Sequence, residues 1–225
     1  PLSPLEPWIA AKIGRPAPPL ARAELEAYQL GRLNATLTWA RTRSLFYRTL
    51  LSAVPRELAS LSDLAALPFT TAEDIRQAGL RFLCVSQDDI QRVVTLDTSG
   101  TTGRPKRIYF TADDQELTVD FFRVGMSTFT EPGDTVLILL PGDRPGSVGA
   151  LLATALAGLG ARPVKHGLVT DVRETLEVMQ REHVDCLVGV PTQVLALATY
   201  GAGLRLKSAL LTTDHVPQAI VRRVE

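Results

Sequence analysis

The sequence predicts an α/β fold: a mostly parallel sheet with helices on both faces. Three observations carry this. Beyond about residue 90, short apolar runs alternate with stretches of helical period. Two of those runs, Val136-Leu137-Ile138-Leu139-Leu140 and Cys186-Leu187-Val188-Gly189-Val190, lack polar alternation, as strands covered on both faces should. The spacing between runs leaves room for one crossover helix each, which parallel neighbours require.

Each element has a local reason. Pro1, Pro4, Pro7, Pro16, Pro18 and Pro19 predict an extended N-terminal arm. Leu25, Tyr28, Leu33, Leu37 and Leu51 recur at helical spacings over residues 21–51, and Gly31 leaves a break open there at a cost of about 1 kcal/mol. Thr70-Thr71-Ala72-Glu73 is a capping box that starts a short helix through Gln77. Residues 92–96 and 107–110 read as strands, and Thr111 caps a helix over 112–126. Strands then follow at 136–140, 161–165, 185–190 and 208–212. Helices follow at 147–159, at 171–182 with Thr170 as cap, at 192–199, and at 217–224 with Pro217 in the first turn. The expected organisation is a proline-rich arm and helical region over 1–90 and an α/β subdomain over 91–225.

Composition narrows the function. Of 225 residues, 45% are hydrophobic and 21% charged, enough apolar surface to exclude disorder as the main state. Lys+Arg 24 balance Asp+Glu 24, which counts against nucleic acid or an anionic membrane as partner. Cys84 and Cys186 form no Cys-x-x-Cys pair and read as buried free thiols of a reducing compartment, so a cytoplasmic location is expected. His166, His183 and His215 lack metal-ligand spacing, and no metal site is expected. Pro145-Gly146-Ser147-Val148-Gly149 approaches a hydrolase Gly-x-Ser-x-Gly elbow, but Pro145 occupies the first glycine's place.

Residues 98–106 hold the strongest chemical signal: Thr98, Ser99, Gly100, Thr101, Thr102, Gly103, Arg104, Pro105 and Lys106. Glycines let a ligand approach backbone amides closely, and successive N–H groups in a turn form an anion site. Hydroxyls add donors, and Lys106 adds a point charge. Together these suit a polyphosphate. The segment is not a Walker A loop, since Arg104 follows Gly103. Two glycine-bearing segments after central strands, Pro141 and Gly142, and Gly189, Val190 and Pro191, mark a candidate substrate pocket. Ligands in open α/β sheets bind beyond the carboxyl ends of strands.

The nonapeptide resembles, at every position, the phosphate loop of the adenylate-forming superfamily (acyl-CoA synthetases, nonribosomal adenylation domains, luciferases). Ser44-Leu45-Phe46-Tyr47-Arg48 and Leu67-Pro68-Phe69-Thr70-Thr71-Ala72-Glu73-Asp74 are similar to stretches of its phenylacetate–CoA ligase branch. The resemblance implies a small carboxylic acid, ATP with Mg2+, and coenzyme A or a carrier-protein thiol as reactants. It implies that Thr98, Ser99, Thr101, Thr102 and the Gly100 and Gly103 amides hold the β/γ-phosphates, that Lys106 neutralises departing pyrophosphate, and that Thr213 and Asp214 lie beside the adenine. It also implies that the segments around Pro141 and Gly189 line the acyl pocket. Two departures stand out. Thr213 and Asp214 occupy the place of a Gly-Gly/Ala-Glu-Pro turn, and Tyr200-Gly201-Ala202-Gly203-Leu204 only begins like the family's Tyr-Gly-x-Thr-Glu segment. The chain is therefore expected to be the front half of a longer enzyme, not active by itself, with association through uncovered apolar surface left open. The alternative is a non-catalytic nucleotide-binding or assembly module that keeps the loop.

Overall fold

The computed structural model describes residues 5–16, 18–96, 105–201, 203 and 205–224. Two compact units divide the chain, one holding Glu6–Asp114 and the other Gln115–Glu225.

The first unit opens with α1 (Leu5–Lys12), α2 (Arg22–Arg43) and α3 (Leu45–Leu50). The helical α1 corrects the extended arm expected for these residues. Pro7 falls within its first turn, where the missing N–H has no helical acceptor to lose, and no proline follows before the helix ends. Gly31 does not break α2; the break comes at Ser44. Its hydroxyl is fully buried, accepts from Tyr47 N at 3.2 Å and donates to Arg81 O at 2.9 Å. A capping bond plus a bond to residue 81 outweighs one more turn of helix. Leu37, Leu51 and Leu58 form the core, and Asn34 ties Leu58 through both its N–H and its carbonyl.

Next come α4 (Ala72–Ala78), β1 (Ile90–Leu96) and β2 (Lys106–Thr111). The capping box of α4 is Thr71 with Asp74, one residue later than expected: Asp74 N donates to Thr71 Oγ1 at 3.1 Å and Thr71 N to Asp74 Oδ2 at 2.7 Å. The two strands pair antiparallel, with Leu96 opposite Lys106. Thr111 opens α5 (Ala112–Met126) as expected, its hydroxyl accepting from Asp114 N at 3.2 Å.

The second unit alternates strand and helix: β3 (Thr135–Leu139), α6 (Val148–Gly158), β4 (Arg162–Lys165), α7 (Val172–Arg181), β5 (Cys186–Gly189), α8 (Pro191–Tyr200), β6 (Ser208–Leu211) and α9 (Gln218–Val224). The four strands are parallel in the order β4-β3-β5-β6. Val136, Ile138 and Leu140 pack with Met126, Leu152 and Leu156 on one face. Leu137, Leu139 and Leu187 pack with Met179, Val194 and Leu197 on the other. Both faces of β3 are thus covered by helices, and full burial of each such side chain stabilises by about 1.5–3 kcal/mol. The cap of α7 is Asp171, which accepts from Arg173 N and Glu174 N, not Thr170 as expected. Among the described residues, no helix is long and apolar enough to cross a membrane.

The amino ends of the strands are tied by charge. Asp134, 4% exposed, accepts from Lys207 Nζ and from Glu131 N. Asp185 accepts from Thr135 N at 2.9 Å through its side chain and from Lys207 N at 2.7 Å through its carbonyl. The Lys207 ammonium, then the Glu131 amide, hold the Asp134 carboxyl below the usual carboxylate range, and Lys207 is raised in turn. A depressed carboxylate contributes stability that is whole above its unfolded pKa of about 3.9 and is lost as pH falls through the lower folded value. Asp134→Asn is expected to lower stability by about 1 kcal/mol at pH 7. It should also flatten the fall of melting temperature below about pH 4. Thermal melts of parent and variant from pH 3 to 7 check this; parallel acid limbs would remove Asp134 from the acid response.

Candidate functional site

In the first unit the strands β1 and β2 flank the hydroxyl-rich segment in sequence. Leu96, the last residue of β1, lies opposite Lys106, the first of β2. Lys106 is half-buried there, and Pro105 before it is exposed. Thr98, Ser99, Gly100, Thr101, Thr102 and Gly103 lie outside the described residues. The two stretches similar to the phenylacetate–CoA ligase branch meet within the first unit. Tyr47 Oη and Thr70 Oγ1 are 3.2 Å apart, and Phe46 packs on Phe82 with ring centroids 4.1 Å apart.

In the second unit the strand order creates a second locus. The connections from β3 to β4 and from β4 to β5 run in opposite directions across the sheet, so the order reverses between β3 and β5. Such a switch point opens a crevice at the carboxyl ends of the strands. Leu139 pairs with Gly189 at those ends, which brings together Pro141, Gly142, Gly189, Val190 and Pro191. The turn after β3 folds back tightly: Gly149 N donates to Pro141 O at 2.8 Å. A Cβ at Gly149 would stand 2.8 Å from Pro141 O and 2.9 Å from Leu140 O, so this position excludes any side chain.

Thr213 and Asp214 follow β6 on the same edge. Thr212 N donates to Gly189 O at 3.0 Å, linking this turn to the end of β5. Thr213 has φ 74, a left-handed conformation that costs a β-branched residue about 1–3 kcal/mol. Asp214 Oδ1 accepts from His215 N at 2.7 Å.

Sequence reasoning missed one group on this edge. His166 follows β4, its N–H and that of Gly167 both reaching Ile138 O. Its Nε2 lies 2.9 Å from Thr175 Oγ1, whose own proton goes to Asp171 O at 2.7 Å. The hydroxyl can then only accept, so the histidine carries its proton on Nε2. The signal available was a polar residue at a strand's end followed by glycine. Among the described residues His183 and His215 join no such network, and no cluster there could hold a metal ion.

Ser147 does not behave as a nucleophile. Its hydroxyl, 8% exposed at the residue level, donates to Arg144 O at 2.6 Å and closes the turn before α6. A cavity of about 780 Å³ lies along β6 against α8 and α9, lined among others by Leu187, Val194, Leu197, Leu211, Val221 and Arg223. Its Arg223 stands in the last turn of α9, where a cation suits the helix's carbonyl end.

A 95-residue stretch is 36% identical to phenylacetate-coenzyme A ligase of Aromatoleum evansii, covering 40% of this chain and 21% of that protein. A solved structure of 2-hydroxyisobutyryl-CoA ligase in an open conformation, with 2-HIB-AMP and CoA, superposes with a TM-score of 0.74 at 19% identity. It covers 91% of this chain and 49% of that one. The same ligase in its thioesterification state gives 0.68 at 23% identity, over 80% and 40%. At these identities the likeness is one of fold, and the chain spans about half or less of each relative. The family model described as AMP-binding enzyme matches residues 49–225, most of the chain, and the chain belongs to that family.

Proposed function

We propose that these residues form part of the ATP site of an enzyme that activates a carboxylic acid and passes it to a thiol. The observation that carries this reading is the nonapeptide at residues 98–106, with its lysine held at the mouth of an antiparallel hairpin. The substrate carboxylate oxygen attacks the α-phosphorus of ATP. The bond from that phosphorus to the bridging β-oxygen breaks, and pyrophosphate leaves with its pair of electrons. A thiolate, its proton lost to solvent, then attacks the acyl carbon, and the bond from that carbon to the phosphate oxygen breaks as AMP departs. Coenzyme A is the proposed acceptor, as in the ligases it resembles, with a carrier-protein thiol the variant of the same chemistry.

The roles follow from donor chemistry. Thr98, Ser99, Thr101 and Thr102 offer hydroxyls, Gly100 and Gly103 offer amides, and Lys106 places a cation where charge accumulates on the leaving group. Donors that meet charge where it develops lower the barrier to the step. Pro141, Gly142, Gly189, Val190 and Pro191 line the acyl end, and Thr213 and Asp214 serve the nucleoside. The described residues supply no metal cluster of their own, so Mg2+ is taken to arrive on the triphosphate. Residues 91–225 are assigned the adenylating chemistry and 1–90 its support.

The test is acid-dependent exchange of labelled pyrophosphate into ATP by the whole gene product, across a panel of carboxylic acids. Exchange with at least one acid is expected. ATP binding without exchange for any acid would replace this reading with a non-catalytic nucleotide-binding module.

A further inference from the structure

The loop between β4 and α7 presents a hydrogen-bond acceptor that no described residue uses. His166 is the first residue past β4, and strand alternation puts its side chain on the face of Val164. That face carries Leu137 and Leu139, and Lys165 pairs with Ile138. The ring therefore stands level with Leu139, one strand from the switch point. Two bonds hold the loop there. Val169 N donates to Gln193 Oε1 at 3.2 Å, which ties it to the first turn of α8 beside Pro191. His166 Nε2 donates to Thr175 Oγ1, a fully buried hydroxyl. One ring tautomer is thereby selected, and the lone pair lies on Nδ1. Among the described residues nothing donates to that Nδ1. Leu168, two residues on, is 47% exposed. The loop thus offers apolar surface with one oriented acceptor, the composition of a small-molecule pocket wall. A solvated histidine needs no buried hydroxyl to choose its tautomer, whereas a group that receives a fixed donor gains from one.

We propose that His166 is a specificity-determining residue of the acyl pocket, its Nδ1 accepting a hydrogen bond from a hydroxyl group on the tail of the carboxylic acid. This rests on the acid-activating reading above and narrows its substrate to an apolar acid that carries a hydroxyl. A carboxylate on the tail would bring no proton to Nδ1. An ammonium could donate, but its desolvation against Leu139 and Leu168 is costly. Thr175 is a positioning residue, since it reaches the substrate only through the ring.

The test compares kcat/KM in pyrophosphate exchange by the whole gene product, for acids that differ by one hydroxyl. The probes are phenylacetate and hexanoate, each with its hydroxylated forms. The ratio of hydroxylated to plain acid is read within one protein, so it does not depend on the folded fraction. His166→Gln keeps an N–H for Thr175 at the place of Nε2 and loses the acceptor at Nδ1. His166→Asn does the reverse: its amide oxygen stands near the place of Nδ1, and the bond to Thr175 is lost. The parent is expected to favour the hydroxylated acid of at least one pair. That ratio should fall about three- to tenfold in His166→Gln, the worth of one hydrogen bond, and be largely kept in His166→Asn. His166→Leu lacks both groups, should match His166→Gln, and keeps the test valid should glutamine fold poorly. Melting temperatures should fall for asparagine and leucine more than for glutamine. No preference by the parent in any pair, or a parent-like ratio in His166→Gln or His166→Leu, overturns this proposal and leaves acid activation standing. A ratio lost in His166→Asn as fully as in His166→Gln assigns the ring to holding the loop, and overturns it too. A parent that activates no acid overturns both readings.

Discussion

Lys106→Ala is expected to slow acid-dependent pyrophosphate exchange by the whole gene product about 10²–10³-fold, as removal of one fixed donor to developing charge does elsewhere. The melting temperature should change little. Lys106 opens β2 opposite Leu96, so its backbone is held by the hairpin whatever the side chain. Half-burial means that alanine gives up some contact of the aliphatic stem, but not a core position. The charge is therefore separable from the fold. Lys106→Arg keeps the charge on a wider, planar head and should recover only part of the rate. Equal exchange by the alanine variant and the parent would take Lys106 out of the chemistry, and a large drop in melting temperature would mark it as structural.

Gly149→Val is expected to disrupt the second unit strongly. The atoms that a Cβ would meet are Pro141 O at 2.8 Å, Leu140 O at 2.9 Å and Gly142 Cα at 3.0 Å. All are backbone, so no rotamer change relieves the clash. The turn after β3 must move, or the first turn of α6 must. Overpacking of this kind costs about 1–3 kcal/mol. It also breaks the Gly149 N to Pro141 O bond, which fixes the edge of the proposed acyl pocket. The expected result is a lower melting temperature together with a raised KM for the acid, larger than any change in KM for ATP. A variant with parent-like melting and an unchanged KM for the acid would show that this turn does not shape the pocket.

Much of the second unit was legible because its physics is local. Runs such as 136–140 and 186–190 carry their burial on their face, and each strand, crossover helix and proline start lies within a few residues of its expected place. What failed was decided by distance or by ties. Ser44 stops α2 because residue 81 supplies an acceptor, which no local pattern announces. Asp171, expected inside the helix, is its cap instead of Thr170, because its carboxylate accepts two amides at once. Pro7 adds to a proline density that predicts an extended arm, but its position in the first turn of α1 leaves the helix intact. For the candidate site, the loops at Pro141 and Gly189 were visible as glycine-bearing turns. That they adjoin depends on the order β4-β3-β5-β6, a property of pairing. The left-handed backbone at Thr213 was hidden for the opposite reason, since the residue type argues against it.

The double burial of β3 bears on how the molecule is made. Thr135 at its start bonds to Asp185, 50 residues later, so the strand leaves the ribosome well before its central neighbour exists. At about 5–20 residues per second that interval is roughly 3–10 s, during which an uninterrupted Val-Leu-Ile-Leu run has at most the edge strand β4 to pair with. Such a nascent segment is a natural client for a chaperone that binds extended apolar peptide. Crosslinking to ribosome-bound chains stalled before and after β5 should show that engagement fade once the later strand has emerged; equal engagement at both stall points would refute it.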